Sequence, residues 1–233
     1  MKDNLSFETF LYISPKRFII SVNNGINENI YKDEQILRQN TDNLIFNDLD
    51  LFLNKNIFKI EKKLKKFITK IHIILDSNDF FSVEISIKKS VVDKSFTLKN
   101  LKTFLIEAKE SCEKTINAKK IAHMLISNYQ IDDKNYPYLP QNETGNNFSI
   151  DVKFICISNF LINNFEEIFK KYQISLGQVV SAKYIEKFIL DEKKSIFLMA
   201  KEIIEGHNPN EVKMVNKSSK NKGFFEKFFN FFS

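Results

Sequence analysis

Residues that carry chemistry are scarce in this 233-residue chain: five glycines, two cysteines, three histidines and no tryptophan. The glycines stand apart, and none completes a GxGxxG or GxxxxGK[ST] pattern, so a glycine-rich phosphate cradle is excluded. No G-x-S-x-G elbow is present. His72, His123 and His207 share no ligand spacing with one another or with the cysteines. His72 and His123 lie in alternating stretches and read as structural histidines. Cys112 and Cys156 lie in apolar-periodic segments and read as buried free thiols in a reducing compartment. Asp132-Asp133 is a paired carboxylate, but it leads into a turn and reads as solvated. The expectation is a protein that is not an enzyme, with no catalytic residue, no metal and no cofactor.

Long apolar runs are missing too. The longest uncharged run, Phe154 to Phe165, contains Asn159, Asn163 and Asn164 and is too short and too polar to span a bilayer. The first residues, Met-Lys-Asp-Asn-Leu-Ser, have no signal-peptide pattern. These features predict a cytoplasmic protein whose membrane contact is peripheral. Lys, Ile, Asn and Phe are over-used, as in AT-rich coding sequences. The net charge of +6 is therefore weak support for nucleic acid, though it suits an anionic membrane surface. Outside the tail no patterned aromatic-basic face exists, so no nucleic-acid partner is expected.

What the chain does have is its last eleven residues. Phe224, Phe225, Phe228, Phe229 and Phe232 keep the spacing of one helical face, and Phe231 adds a sixth ring. Glu226, Lys227 and Asn230 take the other side, and Lys217, Lys220 and Lys222 lie in a polar run just upstream. A basic tether followed by a short aromatic amphipathic helix is a membrane-surface signature. The residues expected to bind anionic lipid are Phe224, Phe225, Lys227, Phe228, Phe229, Phe231 and Phe232, with Lys220 and Lys222.

Before the tail, periodicity predicts an alternation of strands and helices. Strands are expected at Phe7–Ile13, Arg17–Val22 and Asn29–Leu37, with Asn23-Asn24-Gly25 as a turn. A long helix follows over Asp48–Thr69. Its Lys62, Lys63, Lys65 and Lys66 read either as a solvated face or as a basic docking patch. Ile71–Leu75 reads as a strand. Phe81, Val83, Ile85 and Ile87 alternate with Ser82, Glu84, Ser86 and Lys88, a half-buried strand. Thr97 caps a helix to Lys114, with Leu101, Phe104, Leu105, Ala108 and Cys112 inward. Ile121–Asp132 is a strand, and residues 136–146 are a turn-rich loop in which Tyr136 and Tyr138 read as loop packing or as a docking surface. Phe148–Ser158 is a strand, Leu161–Lys171 a helix and Ile174–Val180 a strand. Helix is expected to Glu205, and His207-Asn-Pro209 is expected to end the folded part. The mixture predicts an α+β or α/β layered fold.

Within it, Ile121-Ala-His-Met-Leu-Ile-Ser-Asn-Tyr-Gln-Ile-Asp132, the strand Phe148–Ser158, the helix after it and Gln173-Ile-Ser-Leu-Gly-Gln-Val-Val-Ser181 follow one another in an order that resembles the bacterial cell-division protein FtsA in its SHS2-like subdomain. Such proteins also end in a polar linker and an amphipathic membrane-targeting helix. The resemblance implies a truncated actin-like fold with an SHS2-like module. It divides the chain into an actin-like remnant (1–69), the module (70–181), a helical remnant (182–206), a linker (207–222) and the targeting helix (223–233). It implies an adaptor at the cytoplasmic face of the membrane, at the division site, with divisome proteins as partners, FtsZ among them, and self-association.

Two departures bear on that expectation. Where the family's first phosphate loop has Asp-x-Gly, this chain has Tyr12-Ile13-Ser14, and Pro15 removes a backbone N–H. The glycine-rich second loop, and with it the second half of the actin-like core, is absent after Ser181. FtsA-like ATP binding is therefore not expected. The alternatives are an SHS2 adaptor of a pilus or secretion platform and a degenerate actin-like ATP-binding protein.

Overall fold

The computed structural model describes residues 7–26, 28–37, 44, 46–90, 97–140, 143–189 and 193–213. The Phe/Lys tail lies outside them. Two units emerge. Among the described residues, one contains those up to Phe80 together with Ile157–Glu205, and the other contains Phe81–Cys156 and residues 206–213.

The first unit is built on five strands in the order β3-β2-β1-β4-β9. Strands β1 (Phe7–Ile13), β2 (Arg17–Asn24) and β3 (Asn29–Ile36) form an antiparallel meander. β4 (Lys70–Leu75) runs parallel to β1, and β9 (Ser175–Ser181) runs parallel to β4. β1 buries Thr9 through Ile13 without a break, and β2 buries Phe18 through Asn23. Burial of consecutive residues means that both faces of the sheet are covered. Among the described residues four helices belong to this unit: α1 (Phe46–Leu64), α3 (Asn159–Lys171), α4 (Ala182–Phe188) and α5 (Ile196–Glu205). α1 turns Leu49, Phe52, Leu53, Asn56, Ile57 and Ile60 inward. α3 lies beside it, where Lys171 Nζ reaches Asp50 Oδ2 at 2.6 Å and the Tyr172 hydroxyl donates to Asp50 Oδ1 at 2.9 Å. From α5, Lys201 Nζ meets Glu8 Oε2 at 2.9 Å.

The second unit has the sheet order β5-β8-β6-β7, with β5 at Phe81–Ser90, β6 at Lys119–Ile131, β7 at Lys134–Tyr136 and β8 at Asn147–Ser158. α2 (Leu98–Thr115) covers it, and Leu101, Phe104, Leu105, Ala108 and Cys112 are buried as their spacing predicts. Thr97 and Asn100 form a reciprocal capping box at its start. β5 alternates half-buried and exposed positions over Phe81–Ser86, the pattern of a sheet with one wet face.

Four expectations need correction. The first long helix stops at Leu64 rather than Thr69, because Lys65 takes a left-handed backbone (φ 54°) and the Glu61 carboxylate accepts the N–H of Ile68. Phe67, inside the span expected to be helical, is 81% exposed. The stretch after Asp132 is not all loop: Asp132 (φ 49°) turns the chain into β7. β4 and β9, grouped by sequence with the inserted module, pair into the first unit's sheet. Finally, His207-Asn-Pro209 does not end the folded part. Ile126 N donates to Asn210 O and Val212 N donates to Met124 O, each at 2.8 Å, so the segment lies along β6.

Candidate functional site

In open sheets with parallel strands, ligands favour the crevice beyond the strands' carboxyl ends. In the first unit β1, β4 and β9 are mutually parallel and end in register at Ile13, Leu75 and Ser181. The residues that follow are Ser14-Pro15-Lys16, Asp76-Ser77-Asn78-Asp79 and Ala182-Lys183. A phosphate or nucleotide site would be sought here.

The geometry at this edge is closed by the chain's own groups. The turn from β1 to β2 uses its own donors: Lys16 N and Arg17 N donate to Ser14 Oγ at 3.3 and 3.1 Å, and Ser14 N donates to Arg17 O at 3.0 Å. Pro15 has none to give. The turn thus offers no outward row of N–H groups of the kind that cradles phosphate. Tyr12 is 6% exposed, and its hydroxyl donates to Asp76 Oδ2 at 2.9 Å. Burial first, then the hydrogen bond to Asp76, pushes the Tyr12 phenol up to about 12. Arg17 lies over the Tyr12 ring at 5.5 Å and reaches Glu34 at 3.3 Å. Ser77 Oγ turns to Asp79, and Lys183 Nζ donates to Asn78 Oδ1 at 2.7 Å. One carboxylate oxygen of Asp76, the acidic group placed at the end of β4, is committed to a tyrosine.

The remaining sequence candidates separate cleanly. His72 Nδ1 accepts the N–H of Gln178 at 3.1 Å, and its ring lies 5.5 Å from Phe10. His123, 4% exposed, meets Glu211 Oε1 at 2.8 Å. Both histidines hold strands together rather than standing in a common site. The Asp132 carboxylate accepts the N–H of Asn147 at 2.9 Å and that of Asn146, so it organises a turn. Asn210 Nδ2 donates to Pro137 O, which ties the 136–140 loop to the returning segment. Cys112 and Cys156 are both free and fully buried. Burial, aided by the adjacent Cys112 thiol, pushes the Cys156 thiol up to about 12. The partnerships of Tyr12 with Asp76 and of His123 with Glu211 carry no local sequence signal, since they join residues 64 and 88 positions apart. The lipid-binding residues expected in the tail, from Lys220 to Phe232, lie outside the described residues. Among those described, no helix is long and apolar enough to cross a membrane.

A meander of three strands, then two strands parallel to the first, with a second unit inserted before the fifth, defines an α+β fold. No family model and no curated protein matches the chain. Among solved structures it is similar to the cytoplasmic domain of EpsL, an inner membrane component of the type II secretion system of Vibrio cholerae. That match has 10% identity and a TM-score of 0.37, over 77% of this chain and 57% of that one. It is similar to the PilM-PilN type IV pilus biogenesis complex at 9% identity and a TM-score of 0.48, over 78% and 49%. It is also similar to a Bacteroides thetaiotaomicron protein with an actin-like ATPase fold and unknown function, at 18% identity and a TM-score of 0.33, over 81% and 58%. The chain thus spans only about half the length of these solved chains.

Proposed function

We propose that this chain is a non-enzymatic adaptor, an actin-like half-fold that carries an inserted interaction module to a membrane surface. The observation that carries the reading is the closed carboxyl edge of the first sheet. There Tyr12 caps Asp76, and the Ser14-Pro15 turn uses its own donors. A nucleotide would have to break both arrangements to bind as in an actin-like ATPase. The tail supports the membrane half of the proposal. Burying each of five Phe rings is worth about 1.5–3 kcal/mol. Ordering the backbone of the eleven residues costs roughly 1–2 kcal/mol apiece. The two nearly cancel, so lysines near anionic lipid, worth about 1 kcal/mol each, and self-association set a weak and reversible affinity.

The platform served is first a secretion or pilus assembly. The divisome, with FtsZ as a partner, is the second reading, favoured by the FtsA-like order of segments in the sequence and the amphipathic helix expected at its end. Fusing residues 216–233 to a fluorescent protein tests the anchor. Binding to anionic vesicles that is lost in Phe225→Glu/Phe228→Glu supports it, and binding indifferent to those changes removes it. Affinity of the purified chain for ATP tests the other half: micromolar binding would overturn the adaptor reading. A fluorescent fusion that gathers at the septum would reverse the order of the two platforms.

A further inference from the structure

Helix α1 covers the sheet with one face and carries two exposed apolar side chains on the other. Leu51, Lys55, Phe58 and Lys62 recur at i, i+4, i+7 and i+11, a single stripe opposite the buried one. Leu51 is 68% exposed and Phe58 71%, and Phe67 just past the helix end is 81% exposed. Around them the segment 55–70 carries seven lysines and one acid, Glu61, whose carboxylate accepts the N–H of Ile68. Lys59, Lys62 and Lys65 point to solvent, Lys55 reaches Asp33 at 3.3 Å, and Lys63 donates to Ile30 O. Asp48 and Asp50 lie in the first turns, and Asp50 is held by Lys171 and Tyr172.

We infer that this outer face of α1 is a second membrane contact, seated on an anionic lipid surface. The inference rests on the adaptor reading above and extends it from the tail to the folded body. Charge complementarity selects the occupant. The face joins projecting apolar tips to a lysine excess, the combination that settles at the headgroup boundary of acidic bilayers. Leu51 and Phe58 stand about 10 Å apart along a helix ridge. A ridge suits a deformable lipid interface, whereas a partner helix is normally received in an apolar groove. Two contacts on one surface multiply binding without requiring either to be strong.

The chain has no tryptophan, so Phe58→Trp in the full-length protein places a single indole reporter at the centre of the face. It is mixed with vesicles containing phosphatidylserine and lipids brominated in the acyl chain. The expected result is a blue shift and strong quenching, both reversed by high salt. Full-length protein carrying Leu51→Ser/Phe58→Ser should partition about tenfold less to the same vesicles. Protein that binds vesicles while the indole stays unquenched overturns the α1 contact and leaves the tail reading standing; an acidic protein partner for this face would give that result. Quenching that survives Phe225→Glu/Phe228→Glu supports α1 while removing the tail as the anchor. Absence of any vesicle binding overturns both.

Discussion

The two sheets differ in how many faces they hide. The first unit's central strands are buried on both sides, so β1 and β2 read as near-continuous apolar runs. The second unit's sheet leans on α2, and β5 alternates Phe81, Val83, Ile85 and Ile87 with the polar Ser82, Glu84, Ser86 and Lys88. A sheet covered twice tolerates little change anywhere along a strand. A sheet covered once concentrates its stability in every second residue and leaves the others free to vary or to meet partners.

Substitutions can break or sharpen that contrast. The largest effect is expected at Phe10, which is fully buried in β1. Phe10→Ala should cost about 3–5 kcal/mol in urea unfolding. Half-buried Ile85→Ala on β5 should cost clearly less, and equal losses would erase the distinction. Next, Glu211→Ala removes the buried hydrogen bond to His123 and should cost about 1–3 kcal/mol. Hydrogen exchange at the Ile126 and Val212 amides should rise, while β1 amides keep their protection; a change spread over both sheets would mean that the clasp serves the whole chain. Third, Gly177→Ala brings a methyl to 2.7 Å from His72 Nδ1 and 2.9 Å from Ile71 O, which should cost about 1–3 kcal/mol in the first unit. An unchanged midpoint would show that β9 can shift against β4.

The smallest effect is in alkaline pH. Tyr12 titrates near 10 when unfolded and at about 12 in the fold, so the folded state holds the extra proton between those values. Stability should therefore fall as pH rises above about 10 and level off past about 12. Tyr12→Phe should flatten part of that slope in tyrosinate-absorbance and unfolding titrations. A slope identical to that of the parent would mean the phenol ionises in place.

Legibility in the sequence followed the same divide between regular and irregular contacts. The five inward positions of α2 could be read from spacing because a one-sided helix repeats its signal. Most strands were readable within one or two residues. The stop at Lys65 was not, because a non-glycine residue adopts the left-handed conformation there and nothing in its type announces it. The return of residues 208–213 to β6 was missed because His207-Asn-Pro-Asn210 looks like a linker, and its partners, Met124 and Ile126, lie far back in the chain. Tyr12 and Pro15 could be recognised as departures from a phosphate loop. That the tyrosine also occupies Asp76 could be seen only in three dimensions.

The insertion between β4 and β9 also sets a timetable. β4 ends at Leu75 and its parallel partner begins at Ser175, so about a hundred residues must be held as a loop while that pairing forms. Loop-closure entropy grows with the logarithm of length, and a prefolded module between the two ends shortens the flexible part. During synthesis the meander β1–β3 and then β4 leave the ribosome with one flank of the sheet still open. The inserted unit emerges next, and only afterwards does β9 arrive to close that flank. Completion of the first sheet thus waits until the inserted unit has been synthesised, and a nascent chain stopped within that unit should expose β4 as an unpaired edge.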